Sequence, residues 1–377
     1  MNEDKSARYQ KSRRRSAVAS IAWSAGVLFA LAATPASIAL RRGAEQLVGL
    51  LDLPSVLTPT AVVLAYILSL GLIHEAGALP IAFYRGFLLE RRAGLSTESA
   101  GRWLADELKG LLLSGAFSLA GFAALYMAIR RWPSGWWLIA GVGFALFAAI
   151  LARLAPVLLL PIFFRFRPLA REELRQRLVA LSRRAGVPVL DACEWQLSDR
   201  TKKANAALTG LGRTRRILVS DTLLANHSDD EIEVILAHEI GHHAHGDIWK
   251  GIATESLVAL TAFYLAGRVL GSLWLPLGWN GVADPAGLPV LALTAGLLSM
   301  VLLPLRNGIS RARERAADRF AFELTANPLA FASAMRRLGS MNLAEQHPSR
   351  LALWLFHSHP PVEERIAAAR AWSAQHP

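Results

Sequence analysis

Cysteine is almost missing from this chain: Cys193 is the only one in 377 residues. No disulfide can therefore form within the chain. Charged residues are also few, 19% against 53% hydrophobic. A soluble protein of this length would carry two or three domains, and this composition argues against that class. There is no internal repeat and no low-complexity tract. Acidic residues are outnumbered, 29 against 41 basic, for a net charge of +12. A basic balance of this size raises a nucleic-acid reading. The distribution of the charge excludes it, as shown below.

What the chain does have is long apolar runs. A helix needs roughly 20 mostly apolar residues to cross a bilayer, and backbone in lipid must satisfy its own hydrogen bonds. Six stretches qualify as spanning helices: about 17–40, 60–83, 110–129, 136–164, 252–274 and 288–305. The first resembles a signal peptide at its edges, with "KSRRR" before it and "ATPAS" near its end. Its apolar core is longer than the ~7–15 residues of such a peptide, so a true span is expected.

Basic residues crowd the N-terminal tail (Lys5, Arg8, Lys11, Arg13, Arg14, Arg15) and the loop after the second span (Arg85, Arg91, Arg92, Arg102, Lys109). The alternate loops are poor in them, and residues 275–287 have none. This is the positive-inside pattern. It puts the N-terminus, residues 84–109, 165–251 and the C-terminus in the cytoplasm. Cys193 then lies in a reducing compartment, where it is expected to be a small, partly buried residue.

The chain thus divides into a membrane region, 1–164, with four spans, and a second unit, 165–377, interrupted by a membrane hairpin at about 252–305. In the second unit, "REELRQRLVALSRRAG" has helical spacing and a glycine stop at Gly186. Arg216–Ser220 reads as a short strand. Residues 229–245 read as a helix capped by Ser228, with acids in its first turn. "SRARERAADRFAFELT" is a further helical segment, stopped near Asn327-Pro328.

The stretch "VILAHEIGHHAHGD" places four histidines and two acids between apolar segments. His238, Glu239 and His242 form H-E-x-x-H. Positions i and i+4 share one helix face, so the two imidazoles can grip one Zn²⁺. Glu239 lies about 100° around the helix, where it suits a base acting on metal-bound water. Gly241 inside the motif costs a helix about 1 kcal/mol relative to alanine, which suggests a close neighbour. Catalytic zinc takes three protein ligands and one open position. Glu314, in "RERAADRFA", can supply the third. Asp318, one turn later on the same face, can hold a ligating imidazole by hydrogen bond. His243 and His245 are expected to be solvated or to stand behind the ligands. In "FHSHPPVEER", His359 sits on a rigid turn, and with Arg365 it can stabilise an oxyanion.

"HEIGHH", "RERAAD" and "HSHPPVEERI", in this order around a helical hairpin, resemble the integral-membrane zinc metalloproteases of the type I CAAX prenyl protease family. "ALPIAFYRGFLLERRAGLSTESAGRWLADELKG", "PIFFRFRPLAREELRQRLVALSRRAGVP" and "KKANAALTGLGRTRRILVSDTLL" extend the resemblance to about residues 60–370. The resemblance implies a mainly α fold, with membrane helices around a water-filled chamber and a mostly helical zincin-like metalloprotease domain facing inward on the cytoplasmic side. It implies one zinc at His238, His242 and Glu314, with Glu239 as general base and Asp318 behind a ligand histidine. It places Asn205, His359 and Arg365 near the substrate.

Three departures accompany it. Six spans are counted where eukaryotic members have seven. Asp247 stands where they commonly have a further histidine. His74 and Glu75 fall inside the second span and are expected to line the chamber. The expected substrate is a peptide or protein, lipidated or membrane-associated, with the bilayer as partner and no nucleic acid. The Ala/Arg/Leu-rich composition points to a bacterial inner membrane, where a heat-shock-type quality-control protease is the alternative. A transporter or scaffold with His74, Glu75, Arg153 and Arg268 on a polar path is the reading outside enzymes. It leaves the general base beside the metal unexplained.

Overall fold

The computed structural model describes residues 3–376. The membrane half opens with α1 (Glu3–Ala33), a short α2 (Ala36–Gly49) and α3 (Thr58–Phe83). A π-helical turn at Tyr84–Leu88 carries α3 on into α4 (Leu89–Arg92). Then come α5 (Ala100–Arg131) and α6 (Trp136–Leu154), which runs through a second π turn at Ala155–Leu159 into α7 (Leu160–Phe163). Both π turns adjoin prolines, Pro80 before the first and Pro156 and Pro161 at the second. A proline removes one backbone donor, and a widened turn accommodates the loss.

Among the described residues, six helices are long and apolar enough to cross a bilayer: Lys5–Ala33, Thr58–Arg92, Ala100–Arg131, Trp136–Phe163, Asp247–Leu273 and Pro285–Thr325. Their outer faces carry bare apolar side chains such as Leu72, Leu112, Leu297 and Val301. Exposed in water, these would be a liability; against lipid they are the expected surface.

The second half begins with β1 (Phe166–Pro168), α8 (Glu172–Arg184), β2 (Asp191–Trp195), β3 (Ala206–Thr209) and β4 (Arg216–Ser220). The sheet order is β1-β2-β4-β3, with β2 and β4 parallel and the other pairs antiparallel, so β3 is an edge strand. Next come α9 (Asp221–Asn226), α10 (Asp229–Ala244) and the hairpin of α11 (Asp247–Leu273) and α12 (Leu288–Thr325). The chain ends with α13 (Pro328–Met341), α14 (Arg350–Phe356) and α15 (Val362–Gln375). One core joins the sheet to α8, α10, α13 and α15 through Leu178, Ile217, Val219, Ile232, Leu236 and Phe331.

Two expectations are revised. The last span and the following polar helix form one unbroken helix, α12, of 38 residues. The polarity changes near Arg306, and although Pro304 lies just before it, the helix continues past the proline without a break. Second, the N-terminal span ends at Ala33, and Pro35 starts the separate α2. That helix packs under a second core with α3, α5, α6 and the loop before α12. Arg41 of α2 and Asp284 of that loop form a buried ion pair. Asp284 also accepts from the amides of Asn280 (2.7 Å) and Ala286 (2.9 Å).

Candidate metal centre

α10 starts on a reciprocal cap. Ser228 accepts from the Glu231 amide, and Glu231 accepts from the Ser228 amide at 2.9 Å. Val234, Leu236, Ala237 and Ile240 are fully buried, so packing fixes the rotation of the helix. The remaining face presents His238 and His242, whose rings meet nearly edge-on with centroids 4.8 Å apart.

α12 crosses this face very closely. A Cβ on Gly241 would lie 3.3 Å from Cα of Ala317 and 3.2 Å from Phe320. The glycine in the motif is thus the contact that lets the two helices approach. That approach brings Glu314 in, with Oε2 3.4 Å from Nε2 of His238 and Oε1 3.4 Å from Nε2 of His242.

The three ligand atoms lie within 4.8 Å of one another. Donors held ~2.0–2.1 Å from a tetrahedral ion stand about 3.3–3.4 Å apart, the separation of each Glu314 oxygen from the imidazole nearest it. Oε2 of Glu314 is buried without a hydrogen-bond partner. Such orphans are rare in folded proteins, and a cation between the three groups would satisfy it. The residues therefore fit a metal.

The outer nitrogens of both imidazoles face carboxylates. Nδ1 of His238 lies 2.8 Å from Asp318, and Nδ1 of His242 lies 2.9 Å from Asp247. Arg365 clamps Asp318 with two bonds, from Nε at 2.9 Å and a terminal nitrogen at 2.5 Å. Burial opposes charge on His242, but Glu314 and Asp247 outweigh it and raise its pKa to about 9 in the metal-free protein. Burial raises the Glu239 carboxyl above its usual range, although both histidines pull it down. Glu239 makes no hydrogen bond or ion pair among the described residues, and it lines a cavity together with His238 and His242. Carboxyls tuned upward beside a metal ligand suit proton transfer near neutral pH.

His359 is exposed and approaches Glu314 from the open side, Nε2 to Oε1 3.4 Å. Asn205 is exposed beside the same cleft. Its amide donates to Ser220 Oγ and its carbonyl accepts from the Ser220 amide, both at 3.0 Å, so only its side chain is left for a ligand. His243 donates from Nε2 to the Leu208 carbonyl at 2.9 Å. His245 packs edge-on against Phe320, 5.5 Å between centroids. The structure thus brings His238, Glu239, His242, Glu314, His359, Arg365 and Asn205 together around one cavity of about 280 Å³, with Asp318 behind His238. Asp247 was outside the expected metal set. Its only sequence signal is a glycine-acid pair just past the histidines, where Gly246 takes a left-handed φ of 67° and turns the chain back.

His74 and Glu75 form their own contacts in the membrane half. His74 Nε2 lies 2.9 Å from Ser24 Oγ, and its Nδ1 lies 3.2 Å from Glu75.

Known proteins resemble this chain along most of its length. Residues 168–373 match the profile of Peptidase family M48, and residues 2–165 match that of the CAAX prenyl protease N-terminal region, described as five membrane helices. Four helices here are long enough within that range; the fifth candidate, α2, has 14 residues. At 1.5 Å per residue it is about 21 Å long, short of the ~30 Å hydrocarbon core. An uncharacterized metalloprotease, YhfN, of Bacillus subtilis is 30% identical over 81% of this chain and 72% of its own. CAAX prenyl protease 1 of Saccharomyces cerevisiae is 28% identical over 79% and 70%. The crystal structure of S. mikatae Ste24p superposes with a TM-score of 0.83 at 23% identity, covering 97% of this chain and 88% of that one. This last likeness concerns the fold.

Proposed function

The chain belongs to peptidase family M48 and is a membrane metalloprotease, and from that premise we propose a zinc endopeptidase in which His238, His242 and Glu314 hold the metal and Glu239 is the general base. The observation that carries the ligand set is the equal 3.4 Å spacing of Glu314 from both imidazoles, with one carboxylate oxygen left orphaned. Two imidazole nitrogens and a carboxylate as the donor set suit zinc among the common divalent ions.

When bound, zinc makes water a nucleophile near neutral pH and polarises the scissile carbonyl. Glu239 takes the proton from that water on its carboxylate and passes it to the departing amine. Its unpartnered, partly desolvated state supports this role. His359, on the open side of Glu314, donates to the carbonyl oxygen as it gains charge. Asp318 fixes the tautomer of His238, and Arg365 fixes Asp318. The Asn205 carboxamide holds the substrate backbone.

The division at 164/165 is retained, supported by the two family profiles meeting between residues 165 and 168. We place the site on the cytoplasmic side of a bacterial inner membrane. The basic ends of the membrane helices support this, because they touch the peptidase half: Arg14 pairs with Glu345, and Arg102 with Asp199 at 2.7 Å. The substrate is a membrane-associated or lipidated polypeptide, following the prenyl protease named among the relatives.

The test is Glu239→Gln in the purified protein. It should retain one zinc per chain and lose cleavage of a peptide that the wild type cuts. Cleavage by the variant would defeat the assignment of the base. Offering a farnesylated CAAX peptide beside its unprenylated twin decides the substrate class, and equal cleavage of the two would favour quality control.

A further inference from the structure

The hydrogen bonding along β3 has a two-residue alternation that determines which backbone groups remain for a substrate. β3 runs antiparallel to β4, with Ala206 opposite Val219 and Leu208 opposite Ile217. The Ser220 amide donates to the Asn205 carbonyl at 3.0 Å, so Asn205 is turned inward toward β4. By alternation the amides and carbonyls of Ala204, Ala206 and Leu208 point outward, to the open edge. That edge forms one wall of the cavity holding His238, Glu239 and His242.

An edge of this kind ordinarily accepts a peptide as an added strand. Here both ends are already taken by side chains. Asn342, at the end of α13, donates to the Ala204 carbonyl and accepts from the Ala204 amide, both at 3.2 Å. Its carboxamide thus occupies both positions a paired strand residue would use. At the other end, His243 occupies the Leu208 carbonyl at 2.9 Å. Among the described residues, only Ala206 keeps both outward groups unpaired; Leu208 keeps its amide alone.

We infer that Asn342 and His243 are specificity-determining stops that restrict two-bond strand pairing on β3 to a single substrate residue, held at Ala206, with only the Leu208 amide left beyond it. This rests on the peptidase reading and adds to it the length of chain the enzyme reads. An antiparallel peptide exchanges both bonds with one partner residue. Its residue two places toward the substrate C-terminus would face Ala204, where Asn342 has replaced it. The residue two places toward the substrate N-terminus would face Leu208, whose carbonyl is filled. The enzyme therefore engages a short extended segment beside the scissile bond and accepts no substrate amide proton at Ala204 or Leu208.

The test uses one cleavable peptide and a set of its analogues, each N-methylated at a single amide. The zinc-loaded full-length protein is assayed for cleavage, and binding of the set is measured on the Glu239→Gln variant. In the wild type, N-methylation should lower kcat/KM about tenfold or more at no more than one position besides the scissile amide. Asn342→Ala should add a sensitive position two residues toward the substrate C-terminus. His243→Ala should add one two residues toward the N-terminus. Binding to the same substitutions made in the Glu239→Gln protein reads this pattern even where a variant no longer turns over. Sensitivity at several alternate positions in the wild type, or an unchanged pattern in both variants, overturns the inference. Failure to cut the unmodified peptide would instead count against the peptidase reading.

Discussion

Asp247 stands 2.9 Å from Nδ1 of His242, on the side of the ring away from Glu314. It begins α11 directly after the left-handed Gly246, so the chain reverses and returns a carboxylate to the helix it has just left. Asp318 does the same for His238 from α12. Each imidazole is therefore held from behind by a carboxylate, with its Nε2 turned toward Glu314.

Removing one of these partners should loosen the metal without abolishing the site. Outer carboxylates of this kind commonly contribute about 10–100-fold to metal affinity. Asp247→Ala should lose zinc to a chelator at a correspondingly lower concentration, and Asp247→Asn, whose amide oxygen still accepts, should recover part of the loss. Competition with a chromogenic chelator measures this. Affinity equal to the wild type in Asp247→Ala would remove Asp247 from the metal centre.

The buried pair of Arg41 and Asp284 leads to a prediction at the opposite end of the molecule. Both side chains are nearly inaccessible, and Asp284 also receives two backbone amides. Asp284→Ala would leave the buried guanidinium with only the half-exposed Glu45, 3.4 Å from its Nε, as counter-charge, a loss of up to about 3–5 kcal/mol. The variant should show a clearly lowered apparent Tm in detergent, and Arg41→Met combined with Asp284→Ala should recover much of it. A single variant as stable as the wild type would show the pair to be solvated.

Much of this architecture is legible in the residues, and the gaps have physical causes. The strand at Arg216–Ser220 and the helix from Asp229 emerge where expected, because a β-branched run and a reciprocal serine-glutamate cap are strong local signals. β1, β2 and β3 span only three to five residues each and are defined by their partners, not by local pattern. α2 escapes because its polar face, with Arg41, is buried against a loop some 240 residues away in sequence. At the site, the metal-ligand motif is local and readable. The stops on β3 are not, since an asparagine at the end of one helix and a histidine on another gain meaning only from the carbonyls they reach.

His227 ties stability to pH. It is buried at the turn between α9 and α10, and neither ring nitrogen has a hydrogen-bond partner. Burial lowers its pKa below the ordinary value, with Arg337 assisting and Glu231 opposing. The unfolded chain takes up this proton as pH falls through about 6.5, while the folded chain does not. Stability contributed by neutral His227 is thus present above that pH and declines below it. On going from pH 7.5 to 5 the apparent Tm of the wild type should drop relative to that of His227→Leu in the same buffers. The comparison cancels the other histidines. Parallel slopes would mean that His227 titrates alike in the folded and the unfolded chain.

Gly241 couples helix packing to the metal most directly. Its missing side chain allows α12 to approach until a Cβ would stand 3.3 Å from the Ala317 backbone. Backbone cannot rotate away as a side chain tip can, so Gly241→Ala must push the two helices apart by a few tenths of an ångström. In isolation the alanine would favour the helix by about 1 kcal/mol. Overpacking a closed contact typically costs about 1–3 kcal/mol, so the clash outweighs the gain in helix propensity. The displacement matters because Glu314 rides on α12 while both histidines ride on α10. Their 3.4 Å separations lie at the tetrahedral spacing already, so further opening lengthens one bond at the expense of another. Gly241→Ala should therefore reduce zinc affinity more than it reduces apparent Tm in the metal-free protein, as read by chelator competition and thermal melting. If the two fall in proportion, or affinity is unchanged, the glycine serves packing alone and the helix spacing does not control the metal.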